Sequence, residues 1–266
     1  MVRTYAKTRP IRVILTHDID WPPQGPGINH ILARKDRFDQ EIVSKVIKEG
    51  YNPYFGIPEL MNIEREYGVR STFFFRSKYD DGSSIEAYEN VLRSLINGGW
   101  EIGIHINDAS ELNSIMHEKN SIEKVIGLEV YGSRVHNLNI KFDNLPLLYQ
   151  AGLKYDSSIV FNKHDIDVRN SGFIMVGELV VFPITIMDSY LFTYMKISEE
   201  RIMDIINKAI EIGAEKGFIT ILWHDCSIKM KGGRMYSKIL ELMVSKDYLE
   251  IIRGIDAYRI IVRRGK

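Results

Sequence analysis

The sequence predicts an α/β protein, a single-domain incomplete or distorted (β/α)7-type barrel that occupies residues 1–266. Apolar, β-branched runs alternate with helical patterns, as is typical of a parallel sheet covered on both faces. About seven strand–helix units can be counted, one fewer than the eight of a closed barrel. A doubly wound open sheet is the alternative, but no G-x-G-x-x-G motif follows the first strand, which disfavours dinucleotide binding.

Each element follows from its residue pattern. Strands are predicted where apolar or β-branched residues run together, and helices where apolar residues recur at helical spacing. The predicted strands are 11–16, 71–75, 100–105, 128–134, 153–158, 179–185 and 218–224, and the clearest helices are 38–50, 84–99, 198–217 and 234–246. The third of these helices begins at Ser198 and ends before Gly217, so both of its ends carry favourable capping residues.

The composition narrows the class of protein. With 45% hydrophobic and 26% charged residues, the chain is typical of a globular protein with a large core. The 35 basic residues balance the 35 acidic ones, so no excess charge indicates a nucleic-acid partner. The single cysteine, Cys226, excludes an internal disulfide framework. The first residues lack the apolar run of a signal peptide and no stretch could span a bilayer, so we expect a cytoplasmic protein. The oligomeric state is left open.

Polar residues gather where the predicted strands end. Five of the seven strand ends carry titratable groups, and three of these groups are histidines. One such residue alone would be unremarkable, but the carboxyl ends of barrel strands meet at one rim, where barrel enzymes hold their active sites. We therefore expect an active site formed by these residues: Asp18, Asp20, His105, Arg134, His136, Asp156 and His224.

The tetrapeptide HDID occurs twice, at 17–20 and at 164–167. The first copy ends a strand, and its two aspartates should point to the same face because side chains alternate along a strand. No strand leads into the second copy, which we therefore expect to be a solvated loop. His17 should face away from Asp18 and Asp20 and pack behind the site.

These motifs resemble the polysaccharide deacetylases of the NodB-homology family, which are carbohydrate esterases on an incomplete β/α barrel. In chain order the motifs are THDID (16–20), EIGIHINDA (101–109), GSRVHNL (132–138), YDSSI (155–159) and ILWHD (221–225). A branch of this superfamily found near surface-polysaccharide genes is more similar, through LTHDIDW, IGIH, RVHNL, GLKYDSS and PITIMD. The resemblance covers residues 13 to about 224.

The resemblance implies a metal-dependent hydrolase that removes the acetyl group from an N-acetylated sugar. It implies Asp18 as the general base, Arg134 as the partner of that base, and His224 as the general acid. Asp20 and His105 are implied as ligands of a divalent metal, for which zinc is the first choice. The alternatives are an amidase that acts on a small cyclic amide or ureide, and a catalytically silent barrel that binds a glycan or a partner enzyme.

This sequence lacks one of the family's metal-binding residues, so a third metal ligand must come from another position. Ala109 stands where the family has its second histidine, and a catalytic zinc site usually has three protein ligands. We expect His136 to be the third ligand, because in an extended chain it would face the same way as Arg134. Asp108 is the principal rival.

Three further residues are predicted to contact the substrate. Trp21 begins the WPPQGPG loop directly after Asp20, Asp156 matches the fourth family motif, and Asp188 ends PITIMD. The predicted partner is thus a carbohydrate or a small amide, with no role for nucleic acid.

Overall fold

The computed structural model describes residues 10–264. Its strands are β1 (Ile11–Ile19), β2 (Thr72–Phe75), β3 (Glu101–Ile106), β4 (Gly132–Val135), β5 (Tyr155–Asp156), β6 (Ile174–Val176), β7 (Leu179–Val181), β8 (Ile186–Met187), β9 (Phe218–Leu222) and β10 (Leu249–Ile252). Its α-helices are α1 (Ile28–Leu32), α2 (Gln40–Glu49), α3 (Ile57–Glu66), α4 (Glu89–Asn97), α5 (Leu112–Ile126), α6 (Leu145–Gln150), α7 (Ile202–Lys216), α8 (Tyr236–Val244) and α9 (Gly254–Arg264).

All of these strands belong to one curled sheet, in the order β6-β7-β5-β4-β3-β2-β1-β9-β8, with β10 paired to β1. The pairs are parallel except for the β6–β7 hairpin. β1 lies at the centre: β9 pairs along Arg12–Thr16, and on the other side β10 and β2 pair with its two halves. The predicted incomplete, distorted α/β barrel is confirmed.

Alternation along the strands divides the core into two layers. Ile14 of β1 packs inside the barrel with Phe74 and Tyr155. Its neighbours Val13 and Leu15 belong to the larger cluster that includes residues of the surrounding helices. Side chains of one parity therefore fill the barrel, as strand geometry requires. The same parity on β1 leads from Ile14 through Thr16 and Asp18 to the rim.

Two glycines make room for the aromatic filling of the barrel. A Cβ on Gly103 of β3 would lie 2.4 Å from the ring of Phe74, and one on Gly132 of β4 would lie 2.2 Å from the ring of Tyr155. At the amino ends of the strands, Tyr155 donates a hydrogen bond to the buried Glu101 carboxylate. This plug closes one end of the barrel, so the polar residues can meet only at the other end.

Some predicted strand bounds were wrong. The predicted strand 128–134 begins only at Gly132, and 153–158 is reduced to Tyr155–Asp156. The Ser158 hydroxyl, rather than a backbone carbonyl, accepts the hydrogen bond of the Val135 N–H. Serine side chains compete in this way with the strand ladder, so the ladder ends early. In residues 10–264 no helix is long and apolar enough to cross a membrane.

Candidate active site

Three predicted metal ligands meet at the carboxyl rim of the barrel. Asp20 follows β1, His105 lies near the end of β3 and His136 follows β4. The Asp20 Oδ1 atom lies 3.2 Å from His105 Nε2 and 3.4 Å from His136 Nδ1, and the two nitrogens are 3.1 Å apart. Ligands bound tetrahedrally at the usual zinc distances stand about 3.3–3.6 Å from one another. The three donor atoms are thus spaced, to within a few tenths of an ångström, as a tetrahedral ion requires.

The environment of His105 fixes which of its nitrogens faces the cluster. His105 is 1% exposed, and its Nδ1 lies 3.0 Å from the carbonyl oxygen of Arg134, which can only accept a hydrogen bond. Nδ1 therefore carries a proton, and Nε2 is the ring nitrogen that faces Asp20 and His136 and would bind a metal. A second hydrogen bond of this kind is the usual way in which proteins orient a metal-binding histidine.

His136 lies at the rim directly after β4, at the start of a tight turn. β4 ends at Val135, and His136 opens a 3₁₀ turn in which Asn137 and Leu138 both have positive φ, 56° and 54°. Such a backbone is strained in residues other than glycine and needs support from packing. Leu138 supplies that support by packing against the cluster of Ile184, Met187 and Leu222. Val135 is extended (φ −86°, ψ 132°), so His136 faces the same way as Arg134, as the alternation predicts, and lies at the rim.

The rival ligand Asp108 lies outside the donor cluster. It is exposed, and its carboxylate accepts the N–H of Ser110 within its own loop. Ala109, at the position of the missing family histidine, is 4% exposed and packs in the core. Among the described residues, the one group of three or more potential ligands is Asp20, His105 and His136.

Asp18 and Arg134 form a buried ion pair beside the cluster. Asp18 Oδ1 accepts a hydrogen bond of 2.9 Å from Arg134 Nη1, and Asp18 Oδ2 lies 3.8 Å from His105 Nε2. The guanidinium also donates to Thr16 and Ser157, so its direction is fixed. Arg134 has no exposed surface and Asp18 is 2% exposed. One carboxylate oxygen of Asp18 is thus held by the arginine while the other faces the donor cluster.

His224 and Asp188 form a second pair on the opposite side of Asp20. His224 Nδ1 lies 2.7 Å from Asp188 Oδ1, and His224 Nε2 lies 3.7 Å from Asp20 Oδ2. Burial lowers the pKa of His224, but the charge and hydrogen bond of Asp188 outweigh burial and raise the pKa to about 10. For Asp20, burial raises the pKa, but the hydrogen bonds with His105 and His136 hold it well below its usual range. The site therefore holds an anionic Asp20 and a protonated His224.

The residues predicted to contact substrate take other positions. Asp188 is fully buried, and its two carboxylate oxygens contact Nδ1 and the backbone N–H of His224. Asp156 is also fully buried, with its oxygens hydrogen-bonded to Ser133 and Ser158, so it stabilises β4 and β5 and offers no surface to a substrate. Burial raises the Asp156 pKa to about 6 against the effect of these hydrogen bonds. The substrate contact predicted for these two aspartates is at odds with their burial.

Trp21 is partly exposed and packs edge-on against His30 and Tyr54, with ring centroids 4.6 Å and 5.7 Å away. Its backbone carbonyl accepts a hydrogen bond from Tyr88. Trp21 therefore belongs to an aromatic wall directly after Asp20. Its contact with a substrate stays a prediction.

Sequence reasoning missed Arg76, which follows β2. Arg76 is 5% exposed, and it donates to the backbone carbonyl of Asp20 at 3.2 Å and to the Asn107 side chain at 2.6 Å. It therefore fixes the backbone that presents the Asp20 carboxylate. The signal was present, since Arg76 directly follows the strand TFFF in the way that other strand-end residues do.

Sequence reasoning also missed the partner of His17. As expected, His17 is buried behind the rim, where its Nδ1 faces the Trp223 carbonyl at 2.6 Å and its Nε2 faces Glu64 at 2.7 Å. The Glu64 carboxylate also accepts hydrogen bonds from Ser71, Trp100 and Tyr236. This network connects β1 to the end of β9. Glu64 is one of three glutamates in the helix of residues 57–66, so nothing in the sequence marked it for this role.

Comparison by sequence finds no matching protein family and no matching curated protein. Solved structures do match. A candidate polysaccharide deacetylase from Mycobacterium smegmatis superposes with a TM-score of 0.69 at 16% identity, over 98% of this chain and 93% of that one. The peptidoglycan deacetylase PdaC from Bacillus subtilis superposes with a TM-score of 0.52 at 15% identity, over 98% of this chain and 96% of PdaC. A CE4-family pseudoenzyme from Bacillus anthracis superposes with a TM-score of 0.53 at 10% identity, over 94% of this chain and 66% of the pseudoenzyme. At these identities the likeness concerns the fold: the chain shares the fold of polysaccharide deacetylases.

Proposed function

We propose that this protein is a metal-dependent hydrolase that deacetylates an N-acetylated sugar in a polysaccharide or a glycan precursor. The observation that carries the proposal is the donor set of Asp20, His105 and His136, with donor atoms 3.1–3.4 Å apart. Two imidazoles and one carboxylate, with room for water and substrate, are typical of catalytic zinc. A bound zinc ion would lower the pKa of a water molecule and polarise the amide carbonyl.

The residues around the donor set suit the two proton transfers that amide hydrolysis needs. Asp18 Oδ2, which faces the donor cluster, would accept the proton of the attacking water as its oxygen bonds to the carbonyl carbon. Arg134 holds the other oxygen of Asp18 and balances its charge. His224, kept protonated by Asp188, would donate a proton to the nitrogen as the C–N bond breaks. The products are acetate and a free amine.

Metal binding is tested first, because the deacetylase hypothesis and the amidase hypothesis both require a bound metal. We expect protein purified without added metal or chelator to carry about one zinc per chain by elemental analysis. His136→Ala should lose most of this metal, whereas His117→Ala, on the exposed face of α5, should keep it. Full metal occupancy in the His136 variant would exclude His136 as the third ligand.

A test of the reaction follows on the metal-loaded protein. Acetate release from N-acetylated sugars and their oligomers should be detected in the wild type and lost in His136→Ala. A cyclic amide would instead open without releasing acetate, which separates the amidase alternative. A metal-loaded protein that hydrolyses none of these substrates would favour the catalytically silent barrel, as in the pseudoenzyme with this fold.

A further inference from the structure

A cavity of about 170 Å³ lies against Asp188, the carboxylate that contacts His224. Asp188 forms part of its wall and joins it to the active site through the 2.7 Å contact with His224. The other walls come from three separate segments: the turn after α1, the π-helical turn at Tyr190–Tyr194, and the loop that follows His224. The cavity can hold several water molecules, and hence a small polar group.

The residues in the wall favour an anion. The wall includes the cationic residues Arg37 and Lys231, both exposed, and the hydroxyl-bearing residues Ser189, Thr193 and Ser227. Lys231 Nζ also donates to the backbone carbonyl of Asp36 at 3.1 Å. The backbones of the two cationic residues are held together, since the Lys231 N–H donates to the Arg37 carbonyl at 2.7 Å. Cations and hydroxyl donors converging on one space are typical of sites that bind phosphoryl oxygens.

No acid balances these two cations. Neither Arg37 nor Lys231 forms an ion pair with a carboxylate in the part of the chain that the structure describes. Of the acids near these cations, Asp39 and Glu199 pair with Arg234, and Asp36 meets Lys231 through its backbone carbonyl. The carboxylate in the wall, Asp188, lies against the His224 ring. The cavity is therefore short of negative charge.

The position of the cavity relative to His224 matches a particular kind of sugar. In a 2-acetamido sugar, the carbon that bears the amide is bonded to the anomeric carbon. When the amide nitrogen lies at His224, a group on the anomeric oxygen lies only a few ångströms away. The cavity shares Asp188 with the His224 site, which makes it a place for that group.

We infer that this cavity is a subsite for a phosphoryl group of the substrate, so that the protein acts on a phosphorylated or nucleotide-linked N-acetyl sugar and not on a neutral polymer. The inference rests on the proposed deacetylation and adds the substrate class. Phe192, in the same wall and beside the ring of Trp223, provides an apolar surface next to the cations.

Binding of inorganic pyrophosphate tests the subsite independently of catalysis. The titration is done by calorimetry on full-length Asp20→Ala protein without metal, so that pyrophosphate cannot bind through a metal ion. We expect binding that weakens about 10-fold or more in Arg37→Ala and in Lys231→Ala, as the loss of a charged hydrogen bond predicts. Arg34→Ala removes the same charge from the same segment outside the cavity wall, and should change affinity less than about twofold. No binding at millimolar pyrophosphate, or equal affinity in all variants, would overturn the subsite.

Steady-state kinetics on metal-loaded protein then identifies the source of the phosphoryl group. With a sugar 1-phosphate or a nucleoside diphosphate sugar, Arg37→Ala should raise KM, whereas Arg34→Ala should leave KM unchanged. The better of the two charged substrates is the source. A wild-type preference for the neutral oligomer would overturn the inference. If instead pyrophosphate binds as expected but no acetamide is hydrolysed, the proposed function fails and the anion site stands.

Discussion

The two copies of HDID have identical residues and opposite surroundings. In the first copy, His17 and Asp18 are 0% and 2% exposed, and Asp20 stands at the rim of the barrel. In the second copy, His164 and Asp165 are exposed, in a loop between β5 and β6. The strand that leads into the first copy causes this difference, because β1 pairs on both sides with strands that also end at the rim. The same tetrapeptide can form part of a site only where the sheet brings side chains from other strands next to it.

The partners of the aspartates make the same point. Asp20 meets two imidazoles that are 85 and 116 residues away in the sequence. Asp167 meets Arg169, which is two residues away and 62% exposed. Long-range partners buried by the fold can form a site with defined geometry, whereas a local pair on the surface mainly shapes its own turn. Substitutions at matched positions of the two copies should therefore have very different effects.

The largest difference is expected between Asp20→Ala and Asp167→Ala. Asp20 supplies the carboxylate of the donor set, so its loss should abolish metal binding. Asp167 belongs to no group of three or more potential ligands in the described chain, so its loss should leave the metal content unchanged. Elemental analysis of the two proteins, purified side by side, measures the difference. Equal zinc content in both would mean that Asp20 is no ligand.

The next difference concerns turnover. Asp18→Asn keeps the shape of the side chain but removes the general base, so we expect a loss of about 10²- to 10⁴-fold in kcat with the metal retained. Asp165→Asn, which loses only an exposed contact with Lys208, should keep wild-type kcat. Acetate release under saturating substrate gives both values. Because the buried Arg134 charge loses its carboxylate partner, thermal unfolding must show that Asp18→Asn is folded at the assay temperature.

The third difference concerns stability. His17→Ala leaves the buried Glu64 carboxylate without its imidazole and should lower the free energy of unfolding by about 3–5 kcal/mol. His164 is exposed and contacts the edge of the Tyr194 ring, so His164→Ala should change the free energy of unfolding by less than about 0.5 kcal/mol. Urea denaturation followed by circular dichroism measures both. A small effect at His17 would show that Glu64 is satisfied by its other hydrogen bonds alone.

These contrasts show how far the sequence leads. Hydrophobic runs alone predicted the barrel, because strands buried on both faces are recognised by composition. They also located Asp18, His105 and His224, since residues at strand ends inherit the direction of the strand. The backbone beyond a strand end is not predictable in this way: the positive φ values of Asn137 and Leu138 depend on packing against β8 and β9.

Residues whose role depends on a distant partner were harder still. Asp156 looks like a site residue in the sequence, but Ser133, 23 positions earlier, accounts for half of its hydrogen bonding to side chains. Glu64 looks like one more charge on an amphipathic helix, yet it is 0% exposed. Side-chain partners of this kind are set by the three-dimensional fold and have no fixed spacing in the sequence.

The smallest effect is expected for the pH dependence of the stability that the Asp167–Arg169 pair contributes in the second HDID copy. The hydrogen bonds from Arg169 to the Asp167 carboxylate lower the Asp167 pKa from its ordinary value to about 2. Because the folded pKa is the lower one, the stabilising contribution is fully present above the unfolded value of about 3.9 and is lost as pH falls through about 2. The pair is exposed to solvent, so we expect less than about 1 kcal/mol. Wild type and Arg169→Ala, compared by urea denaturation at pH 6 and at pH 2.5, should differ slightly at pH 6 and less at pH 2.5. A difference that grows on acidification would mean that Arg169 stabilises the fold through a contact other than the Asp167 carboxylate, and the second HDID would then be more than a local turn.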